Sequence, residues 1–198
     1  MKFSSQEIKD LVLSWLIISL AFAFLFETPS SLWQTPLIFG LAFVVALFTA
    51  GIGFLLHELM HKYVAQSYGL EARYHAFYGM LMLALVFSLF GFILAAPGAV
   101  FISGLRITKE KNGKISLAGP MTNVLLGAGF LLGLIVFQLE GFWQMFFSYG
   151  LSINAFLALF NMIPVMPFDG GKIWSWSKTW HLITVGLALA LFVASFLF

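Results

Sequence analysis

Two histidines and a glutamate, His57, Glu58 and His61, stand in the run HELMH within an otherwise apolar stretch, LIFGLAFVVALFTAGIGFLLHELMHKYVAQSYG. In a helix, positions four apart lie about 40° apart around the axis, so His57 and His61 project side by side with Glu58 in the same neighbourhood. Such a pair can chelate one metal ion, and H-E-x-x-H on a helix is the arrangement in which two imidazoles hold zinc while the glutamate takes a proton from the attacking water. The competing readings are a chance match, a pair of hydrogen-bonded bundle histidines and the proton relay of a transporter. Ionisable groups in hydrocarbon cost a few kcal/mol each, so this position favours a metal that compensates them.

A catalytic zinc site usually has three protein ligands and one open position, and the third ligand must come from elsewhere in the chain. The downstream candidates are Glu71, Glu110, Glu140 and Asp169, with His75 and His181 as imidazole options. Glu110 lies between lysines, Glu140 sits in a short loop, and Glu71 follows a Tyr-Gly-Leu turn, so all three read as solvated. Asp169 differs, because Pro164, Pro167, Gly170 and Gly171 surround it and force the backbone out of helical geometry at the end of an apolar run. Irregular backbone at membrane depth is tolerated where it lines a polar site. Asp169 is therefore the expected third ligand, against the alternative of an Asp-Gly turn at the membrane surface.

The elements that must position these residues are membrane helices. Of 198 residues 61% are hydrophobic and 9% charged, where a soluble domain carries roughly 25% charged. With about 20 apolar residues needed per span, the expected architecture is an all-α polytopic membrane protein. It has six apolar segments, five of them full transmembrane helices and one a re-entrant element, with a small β-hairpin near the membrane. The segments fall at 11–26, about 37–65, 77–102, about 117–137, 142–163 and 181 to the end. A signal peptide is the alternative for the first, disfavoured by Glu7 and Asp10 and by the lack of an A-x-A-like site. RITKEKNGKIS is expected to form the hairpin, with Asn112-Gly113 as its turn, and residues 98–117 either a strand platform for an extended substrate or a plain surface hairpin. Trp174, Trp176 and Trp180 read as an aromatic belt, and Gly51 and Gly53 as places where another helix approaches closely. Zero cysteines exclude a thiolate zinc site and a thiol nucleophile, and a net charge of +2 is too small to suggest nucleic acid. The whole chain, 1–198, reads as one membrane domain without a soluble second domain.

HELMH in an apolar helix, GPMTN at 119–123 and FNMIPVMPFDGG at 160–171 together resemble the site-2 protease family of intramembrane zinc metalloproteases. The resemblance covers residues 37–175 as a catalytic core, in a short form without a PDZ or nucleotide-binding regulatory domain. It implies one Zn²⁺ held by His57, His61 and Asp169, with Glu58 as the acid and base. It further implies that Asn161 holds the substrate backbone or the developing oxyanion. The implied substrate is a membrane-spanning segment of another protein, cut within or near the bilayer. A transporter would be expected to carry further intramembrane charges and inverted repeats, and a metal-binding but inactive scaffold to lack the glutamate.

Parity of the spans sets the expected topology. If 77–102 crossed once, Asp169 would arrive at the face opposite the His57 and His61 end of their helix, whereas re-entry brings the two together. With re-entry all ten Lys and Arg fall on one side, and Glu27 and Glu140 on the other, as the positive-inside tendency favours. The expectation is a cytoplasmic amino terminus and an active site nearer the cytoplasmic face.

Overall fold

The computed structural model describes residues 1–93, 97–105, 107–137 and 139–198. In chain order the elements are α1 (Ser5–Phe26), α2 (Ser31–Gln34), α3 (Pro36–Ala46), a π-helical segment (Leu47–Gly51), α4 (Ile52–Ser67), β1 (Glu71–Ala76), α5 (Tyr78–Ser88), β2 (Gly98–Ser103), α6 (Lys109–Phe137), α7 (Gly141–Asn161), α8 (Asp169–Trp176) and α9 (Lys178–Ala194). Four stretches are long and apolar enough to cross a membrane, Ser5–Phe26, Pro36–Ser67, Lys109–Phe137 and Lys178–Leu197, and the protein is a multi-pass membrane protein. α7 has 21 residues but carries Gln144, Asn154 and Asn161. α5 has only 11 residues, about 16 Å of helix against a hydrocarbon core of about 30 Å. The AAPG break expected within 77–102 lies partly outside the described residues, as does Arg106 of the expected hairpin.

That hairpin is not formed. Lys109 to Phe137 is one helix, and Asn112-Gly113 lies inside its first turns. Thr108 starts it, its hydroxyl accepting from the Lys111 N–H at 3.2 Å and its carbonyl from the Asn112 N–H at 3.0 Å, while Lys114 pairs with Glu110 at 2.6 Å. A Cβ on Gly113 would come within 2.5 Å of Trp176. The glycine is there to let α8 approach, and tertiary packing overrides a local turn signal. The small sheet is instead an antiparallel pair of β1 and β2, with α5 between them in sequence. Of the expected strand platform, only residues up to Ser103 are extended.

The chain packs as two compact units. The first comprises Lys2–Leu55 and Arg73–Phe101, with α1 packed on α3, the π-helical segment and α5. The indole N–H of Trp15 donates to the carbonyl of Leu47 at 3.0 Å, and Gly51 lies against Trp15 and Ser19 with no room for a Cβ, as expected of a glycine at a helix contact. Glu7 and Asp10 of α1 are buried. Glu7 accepts the Tyr74 N–H at 3.0 Å, and Asp10 accepts the Ala76 N–H at 3.2 Å and the Tyr78 hydroxyl at 2.6 Å. Alternate N–H groups of β1 thus end on carboxylates, which satisfies the edge of a strand that would otherwise expose its backbone.

The second unit holds Met1, Leu56–Ala72 and Ile102–Phe198. Here α6 packs on α7, α8 and α9 around Val124, Leu134, Leu151, Ala155, Ala158, Ala188 and Leu191. Gly133 lies against Phe147, and Gly150 against Phe130, so small residues on one helix receive rings from the other, as membrane helix pairs do in the absence of a hydrophobic drive between them.

Candidate metal centre

Within this second unit, α4 presents His57 and His61 with ring centroids 4.7 Å apart and planes at 84°. Asp169 Oδ2 lies 3.4 Å from His57 Nε2 and 3.0 Å from His61 Nε2. All three side chains are buried, and one donor atom from each falls within 4.8 Å of the others. Two ligands each about 2.0–2.1 Å from a tetrahedral zinc stand roughly 3.3 Å apart, so the separations fit such an ion. Gly119 of α6 faces the same point. A Cβ there would lie 2.5 Å from Nε2 of both histidines, so only glycine leaves the space in front of the nitrogens clear.

The far nitrogens of the rings are also held. His61 Nδ1 meets the carbonyl of Ile115 at 2.8 Å, and His57 Nδ1 meets Asn123 Oδ1 at 2.6 Å. A carbonyl only accepts, so His61 carries its proton on Nδ1 and turns the Nε2 lone pair inward, the tautomer a metal ligand needs. Pro120 lies inside α6 and gives no N–H to the Ser116 carbonyl one turn back. GPMTN marks the position of Asn123 in the sequence but not this contact. Asn154, which accepts from Asn123 Nδ2 at 3.0 Å, belongs to no motif, and only its polarity inside an apolar helix singles it out.

Asp169 is the first residue of α8, after Phe168 in extended conformation. Gly170 and Gly171 press against the backbone of Met162, Ile163 and Val165, leaving no space for a Cβ. The proline-rich loop can fold back onto the start of α8 only because these positions are glycine. Lys172 donates to Asp169 Oδ1 at 3.3 Å, which leaves Oδ2 for the histidines.

Glu58 is buried on α4, next to His57 in the chain. Among the described residues no hydrogen-bond partner is set against its carboxylate. Asn161 ends α7 with its amide donating to the Leu157 carbonyl at 2.9 Å, and among the described residues it makes no hydrogen bond to the three converging side chains. Glu71, Glu110, Glu140 and His75 are exposed, and His181 is buried against Trp174; none of these joins the cluster.

A polytopic helical membrane protein with a buried His-His-Asp cluster and an adjacent glutamate is the class these features define. The sequence model of Peptidase family M50 matches residues 138–184. The chain is 41% identical over 191 residues to MJ0611 of Methanocaldococcus jannaschii, whose name marks it as a candidate zinc metalloprotease; the alignment covers 95% of this chain and 93% of that one. Zinc metalloprotease MJ0392 of the same organism is 29% identical over 128 residues, 62% of this chain and 31% of that protein. YwhC of Bacillus subtilis, also named as a candidate zinc metalloprotease, is 29% identical over 142 residues, 62% of this chain and 64% of its own length. No solved structure matches. The chain belongs to peptidase family M50, the site-2 protease family.

Proposed function

We propose that this protein is an intramembrane zinc endopeptidase that hydrolyses peptide bonds within membrane-spanning segments of other proteins, acting in regulated intramembrane proteolysis. The observation that carries the reading is the meeting of His57, His61 and Asp169, residues from two distant segments, within 4.8 Å, in a chain of metalloprotease relatives. His57 Nε2, His61 Nε2 and Asp169 Oδ2 would hold one Zn²⁺. When bound, the ion supplies Lewis acidity, which polarises a carbonyl and acidifies water.

Glu58 takes the proton from the attacking water and returns it to the leaving amide nitrogen, the two halves of general acid–base catalysis. The absence of a hydrogen-bond donor fixed on its carboxylate, among the described residues, suits a group that must gain and lose a proton. Asn161 supplies a neutral donor toward the substrate backbone or oxyanion, through the second N–H of an amide whose first donates to the Leu157 carbonyl. A helical substrate hides its carbonyls in backbone hydrogen bonds, so the target segment unwinds before attack. Its extended form can add to the β1–β2 sheet at the β2 edge, since side chains of α1 occupy the other one.

In this reading α1, α3 with α4, α6, α7 and α9 cross the bilayer, and α5, too short to cross, enters and leaves on one side. The amino terminus is cytoplasmic and the site lies nearer that face, as the distribution of Lys and Arg favours. The test is incubation of the purified chain with model membrane segments, with and without chelator. Cleavage that survives both the chelator and Glu58→Gln would sink the proposal.

A further inference from the structure

Asn123 and Asn154 are fully buried, each with no exposed surface, between helices α6 and α7. An amide side chain can face His57 with either end, and the two ends have opposite consequences. Its oxygen makes Nδ1 of His57 the donor and frees the Nε2 lone pair; its NH₂ would demand the lone pair at Nδ1 and put the proton on Nε2, where a metal ligand cannot have it. Orientation of an amide follows from its network, and here the network ends on a backbone group of fixed polarity. The carbonyl of Gly150 only accepts, and Asn154 Nδ2 donates to it at 2.8 Å. Asn154 therefore presents Oδ1 to Asn123, whose Nδ2 donates to it at 3.0 Å. Asn123 must then turn Oδ1 to His57 Nδ1, at 2.6 Å.

We propose that Asn154 is a positioning residue for the metal centre, fixing the amide of Asn123 and through it the tautomer of His57. The polarity of one α7 carbonyl is relayed through two amides to a ligand nitrogen on α4. His61 needs no relay, since Ile115 offers it a carbonyl directly. The inference rests on the zinc reading above and deepens it. It assigns a role to a residue outside all three sequence motifs, one that touches neither metal nor substrate.

The test uses the purified full chain, zinc affinity by competition with a chromogenic chelator, and the visible spectrum of the cobalt(II)-substituted protein. Asn154→Leu should weaken zinc roughly 10- to 100-fold, as loss of an outer-sphere partner does, and change the cobalt bands. In an Asn123→Asp background the carboxylate accepts from His57 whichever way it turns, so the same Asn154→Leu change should alter affinity by less than about threefold, a coupling expected only of groups acting in series. Equal losses in the two backgrounds, or a folded Asn154→Leu variant with unchanged affinity and spectrum, would overturn the relay. If Asn154→Leu does not fold, Asn154→Ser decides. Its hydroxyl serves either role and leaves the polarity unset, so weakened zinc supports the relay and unchanged zinc overturns it. A wild-type chain that binds no stoichiometric zinc overturns the metal reading itself, and the relay with it.

Discussion

Glu58 and Asp169 are both buried carboxylates of one site, yet their surroundings give them different work. Asp169 has Lys172 on one oxygen and two imidazoles on the other, a setting that fixes an anion in place. Glu58 has no such partner among the described residues, in keeping with the proton exchange proposed for it. Glu58→Gln keeps the shape and removes only the base, so cleavage of a model segment should fall by roughly 10²–10⁴ while metal analysis still finds zinc. Asp169→Ala, His57→Ala and His61→Ala should each lower the zinc content of the purified protein, and with it the cleavage rate. Full zinc in Asp169→Ala would remove Asp169 from the ligand set. Gly119 gives a sharper test of the cleared space. Alanine there improves helix propensity by about 1 kcal/mol, yet its Cβ would stand 2.5 Å from both ligand nitrogens. Gly119→Ala should therefore lose zinc, measured by metal analysis, without losing helix by circular dichroism.

At the scale of elements, the sequence is legible where the signal is local. The helix carrying HELMH, the i, i+4 placement of its histidines and the break before Asp169 follow from apolar patterning and from proline, and the structure has all three, with Gly170 and Gly171 inside α8 rather than in the break. Asn112-Gly113 misleads because its turn propensity is local while the deciding contact, Trp176, lies in another helix. Asn154 is illegible for a related reason, since an asparagine in an apolar helix reads as an interruption until its partners on another helix are known. Glu7 and Asp10 argue against a signal peptide in the sequence, but only the fold shows what they hold. Their role as acceptors for β1 predicts a stability effect remote from the chemistry. Asp10→Ala removes the acceptor of the half-buried Ala76 N–H and of the exposed Tyr78 hydroxyl, and a hydrogen bond of this kind contributes about 0.5–1.5 kcal/mol. Thermal unfolding in detergent should show the loss, and zinc stoichiometry at a temperature where the variant is folded should not change.

For the whole molecule, the length of α5 and the placement of charge make a joint prediction about sidedness. Because the chain has no cysteine, Lys2→Cys and Lys114→Cys can each be labelled alone with an impermeant maleimide in sealed vesicles. Both should react from the same face. Reaction from opposite faces would make 77–102 a full crossing and remove the parity that brings Asp169 to the histidines. The carboxylates of α1 carry a further consequence, for the order in which the protein is made. α1 leaves the ribosome before β1 exists, so Glu7 and Asp10 are synthesised without the backbone N–H groups they will later accept. Until residue 76 has emerged, water at the membrane surface is what can solvate them, and the first turn of α1 is kept from sinking. A chain not yet extended to β1 therefore leaves open to water two acids that the finished protein conceals.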